Sequence, residues 1–142
     1  MYLLLIYVEE AISINVGSLG NLRFDRGLYA YVGSAQNNVE RRVARHLRRH
    51  KSLFWHIDYL LSDGHVRVLE VHFKDAPKGD ECKIAWFIKG VGEPVDGFGS
   101  SDCRCKSHLF KVIDYEGLRG LIKNLGLIKL DLERIKASNY AE

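Results

Sequence analysis

Long apolar runs are missing from this sequence of 142 residues. The most apolar segment, residues 2–8 (YLLLIYV), is far shorter than the ~20 residues that cross a bilayer, and no basic stretch precedes it as in a secretory signal. A cytoplasmic protein without membrane contact is the expectation. Cysteine is scarce as well. Cys82, Cys103 and Cys105 are an odd number, and two of them stand one residue apart, which argues against a conventional disulfide framework. No repeat, low-complexity stretch or linker interrupts the chain, so one core is expected, burying about two thirds of the surface the unfolded chain exposes.

Net charge is also small, a formal +3, but it is unevenly spread. Residues 37–51 carry Arg41, Arg42, Arg45, Arg48, Arg49 and Lys51 against Glu40 alone, so the remainder of the chain is net acidic. Basicity held by one element says more about a partner than an average does, and it points to an anion. Glu40 is the only acid in the segment able to neutralise these cations locally.

Pattern and punctuation give the elements. Residues 2–8 read as a buried strand, 12–16 and 21–24 as a hairpin, and 28–32 as a central strand ending at Gly33, where glycine suggests a sharp exit or a close backbone approach. Val39, Val43 and Leu47 at spacing four, with Ala44 beside them, make the apolar stripe of an amphipathic helix over residues 38–51, with Asn37 or Asn38 as N-cap. A helix over 53–61, a strand over 66–73, a helix from after Asp80 to about Gly90, a long loop over 92–105 and a strand over 108–113 follow. The fold class is therefore α+β, a small antiparallel sheet flanked by helices. Residues 1–114 form the domain, and 115–142 add C-terminal helices packed on it.

On the helical wheel centred on Val43, Arg41, Arg45 and Arg48 point to solvent. Arg42 and His46, one turn apart, lie along the border of the buried stripe, where they can face a cleft beside the sheet. An arginine so placed can grip a phosphate bidentately, while Arg41, Arg45, Arg48, Arg49 and Lys51 supply attraction to a charged backbone. The plain alternative is a solvated basic face.

The run Tyr31-Val32-Gly33 followed by a helix with Arg42-Val43-Ala44-Arg45-His46 resembles the second half of the GIY-YIG nuclease signature, with the strand at Tyr2 as the first half. Glu81, opening a later helix, fits the family's required glutamate. Val32 stands where the family has isoleucine, Met1 precedes Tyr2 where it has glycine, and its later asparagine has no counterpart. The loop over residues 97–110 and the segment Trp55-His-Ile-Asp-Tyr-Leu-Leu61 resemble an uncharacterised, mostly archaeal branch, domain of unknown function 123, with some relatives fused to base-excision repair enzymes.

The resemblance implies a metal-dependent, repair-related DNA endonuclease, with a repair protein as possible partner; because the fold offers little room for base readout, structure-selective cutting is expected over sequence-selective cutting. It implies Mg²⁺ (or Mn²⁺) held by Glu81, and Tyr2 and Tyr31 positioning or deprotonating the attacking water with Arg42 and His46 beside them. A free phenol titrates near 10, so a base role requires nearby positive charge. The other reading of Glu81 is a carboxylate complementing its helix N-terminus. A non-catalytic nucleic-acid-binding module on the same scaffold is the alternative function. Tyr7, Tyr29 and Tyr59 read as structural and Trp55 as core; His56 and Asp58, two apart, share no helical face. Cys103, Cys105 and His108 offer soft ligands that Cys82 or another histidine could complete, but Cys-x-Cys is a poor zinc spacing. The other expectation is a loop folded over the edge of the site, with Asp102 and Arg104 as internal partners.

Overall fold

The computed structural model describes residues 1–35, 38–77, 79–100 and 105–137. The fold is α+β. A six-stranded sheet is built from β1 (Tyr2–Val8), β4 (Gly27–Gly33), β5 (Val66–Phe73), β6 (Gly92–Pro94), β7 (Leu109–Val112) and β8 (Ile128–Lys129), in the order β6-β7-β4-β1-β5-β8. Every neighbouring pair is antiparallel. A hairpin of β2 (Ile12–Asn15) and β3 (Asn21–Phe24) stands apart from it.

Because β1 runs antiparallel to both β4 and β5, those two are mutually parallel, and the chain between them must cross over β1. That crossing is made by α1 (Val39–Leu47) and α2 (His56–Leu61) on one face of the sheet. The return from β5 toward β7 is made by α3 (Asp80–Ile88), which occupies the other face with α4 (Tyr115–Asn124). The short α5 (Leu132–Lys136) joins the α1 side through buried Ile135. Among the described residues, no helix is long and apolar enough to cross a membrane.

The central position of β1 explains its composition. Tyr2, Leu4, Ile6 and Val8 pack against Val43, Ala44, Ile57 and Leu60, while Met1, Leu3 and Leu5 pack against Ile84, Ala85, Ile88 and Leu118. A strand buried on both faces reads as a continuous apolar run rather than an alternating one.

Three expected boundaries shift. The basic helix was expected over 38–51 but ends at Leu47, and Arg48 is already extended (φ −75°, ψ 126°). The Lys51 ammonium folds back and donates to the Arg45 and His46 carbonyls (3.2 and 2.9 Å), satisfying acceptors that a longer helix would have used. Asn38 is the N-cap, its side chain accepting the Arg41 N–H; Asn37 lies outside the described residues. The helix expected over 53–61 starts only at His56, because Asp58 binds the Phe54 and Trp55 amides (2.9 and 2.8 Å) and holds the entering chain extended. The expected loop over 92–105 opens with edge strand β6, where a ladder tolerates Pro94.

Candidate active site

Tyr2 and Tyr31 stand on adjacent strands, and both side chains belong to the α1 face. Residue 2 is opposite Gly33 in register, and a Cβ on Gly33 would overlap the Tyr2 ring. The glycine of the Tyr31-Val32-Gly33 run thus lets the ring lie flat across the neighbouring strand, the close approach expected there.

From α1, His46 reaches into the same space. Its Nε2 and the Tyr2 hydroxyl are 2.7 Å apart, and its ring meets Tyr31 edge-on at 6.3 Å. All three are buried, Tyr31 being the most open at 8%. Burial pushes the Tyr2 phenol up to about 12, against the pull of the Arg42 guanidinium, and raises Tyr31 well above its ordinary value. Burial also drives His46 down to about 3, helped by the charges of Lys51, Arg42 and Arg45 and opposed by Asp58. At neutral pH the pair is therefore a protonated phenol on a neutral imidazole, and the base at hand is the imidazole rather than a phenolate. The His46 Nδ1 is buried without a hydrogen-bond partner among the described residues.

Arg42 donates to the Ser34 carbonyl (3.2 Å) and lies 4.5 Å from the Trp55 ring centroid. Trp55 is half-buried and takes Arg45 at the same 4.5 Å. Arg45 was expected to face solvent. It instead makes a bidentate ion pair with Asp58 (2.7 and 2.9 Å), a carboxylate with no exposed surface, and donates to the Ser52 carbonyl. Burial works against the Asp58 charge, but Arg45 and the Trp55 and Phe54 amides hold the carboxyl below its usual range. The expectation that Arg45 points to solvent is corrected here, because α2 packs on that side of α1. Arg49 donates to the Asp63 and Val66 carbonyls, and Lys51 to the end of α1. Arg41 is exposed and Arg48 half-buried.

Glu81 sits in the first turn of α3, half-buried, its Oε2 accepting the Gly79 N–H at 3.0 Å. Its helix lies on the opposite face of the sheet from α1. Phe73 at the end of β5 is opposite Tyr2, and α3 begins just beyond, so Glu81 shares the Tyr2 and Gly33 end of the sheet. Its carboxylate acts on His108 and on the Met1 amino group rather than on the tyrosines. A single, partly solvated carboxylate is the donor type Mg²⁺ accepts while keeping waters, so the residue fits that ion.

Sequence patterns missed several groups that shape this region. Asp58 and Trp55 organise the two arginines, and the only local sign was an acid in the first turn of a helix. Phe98 meets Tyr31, Phe24 and His56 edge-on, and the Gly99 N–H donates to His56 Nδ1 at 2.8 Å. A Cβ on Gly99 (φ +70°) would sit 3.3 Å from both the Tyr31 ring and the His108 Cβ. Cys82, Cys105 and His108 gather beside this strip; Asp102, Cys103 and Arg104 lie outside the described residues.

An α+β sheet carrying a buried tyrosine–histidine pair on one face and an acid-headed helix on the other is the class that the geometry defines. The family model described as "Domain of unknown function DUF123" matches residues 1–128, from β1 to the start of β8, and the chain belongs to that family. No curated protein and no solved structure matches the chain.

Proposed function

We propose that this chain is a GIY-YIG-type, metal-dependent endonuclease acting on the phosphate backbone of DNA, structure-selective and tied to repair. The observation that carries the reading is the meeting of Tyr2, Tyr31, Arg42 and His46, two strands and one helix contributing to one cluster, with Glu81 at the same end of the sheet. The sequence motif alone gives the residues; their convergence is what a hydrolytic site requires.

In this reading Tyr31, the more open phenol, orients the attacking water. Tyr2 passes its hydroxyl proton to His46 as it takes one from that water, so the buried pair works as a relay and ends with a charged imidazole. Burial first, and the neighbouring cations after it, make that final charge costly, which keeps the relay at rest until substrate phosphate enters. Arg42 binds a non-bridging phosphate oxygen. Glu81 would hold Mg²⁺, which supplies relief of charge on the scissile phosphate when bound. Arg41 and Arg48 meet the flanking backbone, as electrostatic attraction rather than base readout.

A binding module without cleavage is the second reading, favoured by the burial of Tyr2, with 1% of its surface exposed, and by the separation of Glu81 across the sheet. Incubating the protein with nicked, flapped, branched and damaged DNA in Mg²⁺ or Mn²⁺, beside Glu81→Ala, separates the two. Metal-dependent cutting that the variant lacks supports the enzyme, and identical gel patterns for the two proteins overturn it.

A further inference from the structure

We infer that Cys82, Cys105 and His108 form a binding site for a thiophilic divalent cation, zinc by the chemistry of the donors. The site does not use Glu81 as a ligand and does not rest on the nuclease reading. The three ligand atoms lie within 4.8 Å of one another, with His108 Nε2 3.8 Å from the Cys82 sulfur and the two cysteine Cα atoms 6.0 Å apart. The Cys82 and Cys105 sulfurs are in direct contact. Donors on one tetrahedral zinc stand roughly 3.3–3.8 Å apart, so as thiolates the two sulfurs part and the imidazole draws in for all three to surround one ion. A cystine would account for the two sulfurs and not for the imidazole, whereas zinc accounts for all three.

The spacing supports this choice. Cys103 and Cys105 form a poor zinc pair in sequence, but the fold combines Cys105 with His108, two residues intervening, and adds Cys82 from 23 residues upstream. A local pair completed by a distant ligand is a common zinc arrangement. Two thiolates neutralise the ion, and burial holds His108 below its ordinary value, in the neutral form that ligates. A cleft of about 400 Å³ lined by both cysteines, Lys89, Lys106 and Trp86 gives solvent access to the fourth position, and its lysines favour the thiolates. The ion would staple the loop between β6 and β7 to the first turn of α3, one residue from Glu81.

The test is zinc content of the full chain, purified reduced, by mass spectrometry of the metal, together with the absorption spectrum after Co²⁺ replacement. About one zinc per chain is expected, with sulfur-to-cobalt charge-transfer bands. Competition with a chromophoric chelator should show at least tenfold weaker zinc binding in Cys82→Ser and in His108→Ala. Should those variants fold poorly, stripping zinc from the wild-type protein and titrating it back supplies the same reading. Reduced wild-type protein that takes up no zinc would overturn the site, as would a chain two hydrogens lighter and metal-free, the signature of a cystine. Zinc-loaded wild-type protein that does not cleave DNA in Mg²⁺ or Mn²⁺ would count against the nuclease reading alone.

Discussion

The two faces of the central sheet solve the problem of burial differently. Under α1 and α2 the interior is mixed, with Tyr2, Tyr31, His46 and Asp58 enclosed among aliphatic groups and held by Arg42, Arg45 and Trp55. Under α3 and α4 the core is aliphatic apart from Phe110, the buried His72 on this face pairs with Glu70 and through it with Arg119 of α4, and Glu81, Cys82 and His108 collect at its border. A mixed interior is specific and fragile, since each polar member is costly once its partner is removed. An aliphatic one tolerates change at its rim. Substitutions on the first face will therefore confound activity with stability, and those on the second will separate them.

The largest effect expected on that contrast is from Asp58→Ala, which leaves Arg45 unpaired and strips the start of α2, at a cost of about 3–5 kcal/mol. Urea unfolding measures it, and adding Arg45→Met should recover at least half; no recovery would mean the ion pair is not the cause. Next comes Gly33→Ala, which forces the Tyr2 ring from its bed for about 1–3 kcal/mol. The penalty should shrink in a Tyr2→Leu background, and an equal penalty there would locate the strain elsewhere.

His46 gives a smaller effect with a definite sign. An unfolded histidine titrates near 6.5 and this one near 3 when folded, so between those values the unfolded chain binds a proton the folded chain does not. Stability falls as pH drops from about 6.5, by up to ~1.4 kcal/mol per pH unit. Thermal melts of wild type and His46→Gln between pH 7 and 5 should converge, and parallel curves would refute a neutral buried imidazole. Smallest is Glu81→Ala, which removes an acid from a helix N-terminus and costs only about 0.3–1 kcal/mol while abolishing the proposed cleavage. A loss above ~2 kcal/mol would recast Glu81 as a structural residue.

Much of this was legible locally. The strand bounds Tyr2–Val8 and Val66–Phe73, an asparagine N-cap narrowed to Asn37 or Asn38, and the stripe of Val39, Val43 and Leu47 follow from pattern alone, because the forces that set them act within a few residues. Arg45 shows where that ends. On an isolated helix it faces water, and only the packing of α2, 13 residues on, turns it to Asp58. The distribution of α1 and α3 over opposite faces was equally hidden, since it is set by β1 lying between β4 and β5, a pairing made across the chain. Gly33 was readable as a close approach, but not that a tyrosine ring was what approached.

The margins of the six-stranded sheet bear on how any partner is met. One is β6, three residues ending in proline, and the other is β8, two residues long. Neither offers the row of free backbone groups on which a foreign strand could template itself, which guards against edge-to-edge aggregation. Recognition by strand addition is correspondingly disfavoured at those two short strands, and is left to the outer edge of β5 that β8 does not cover.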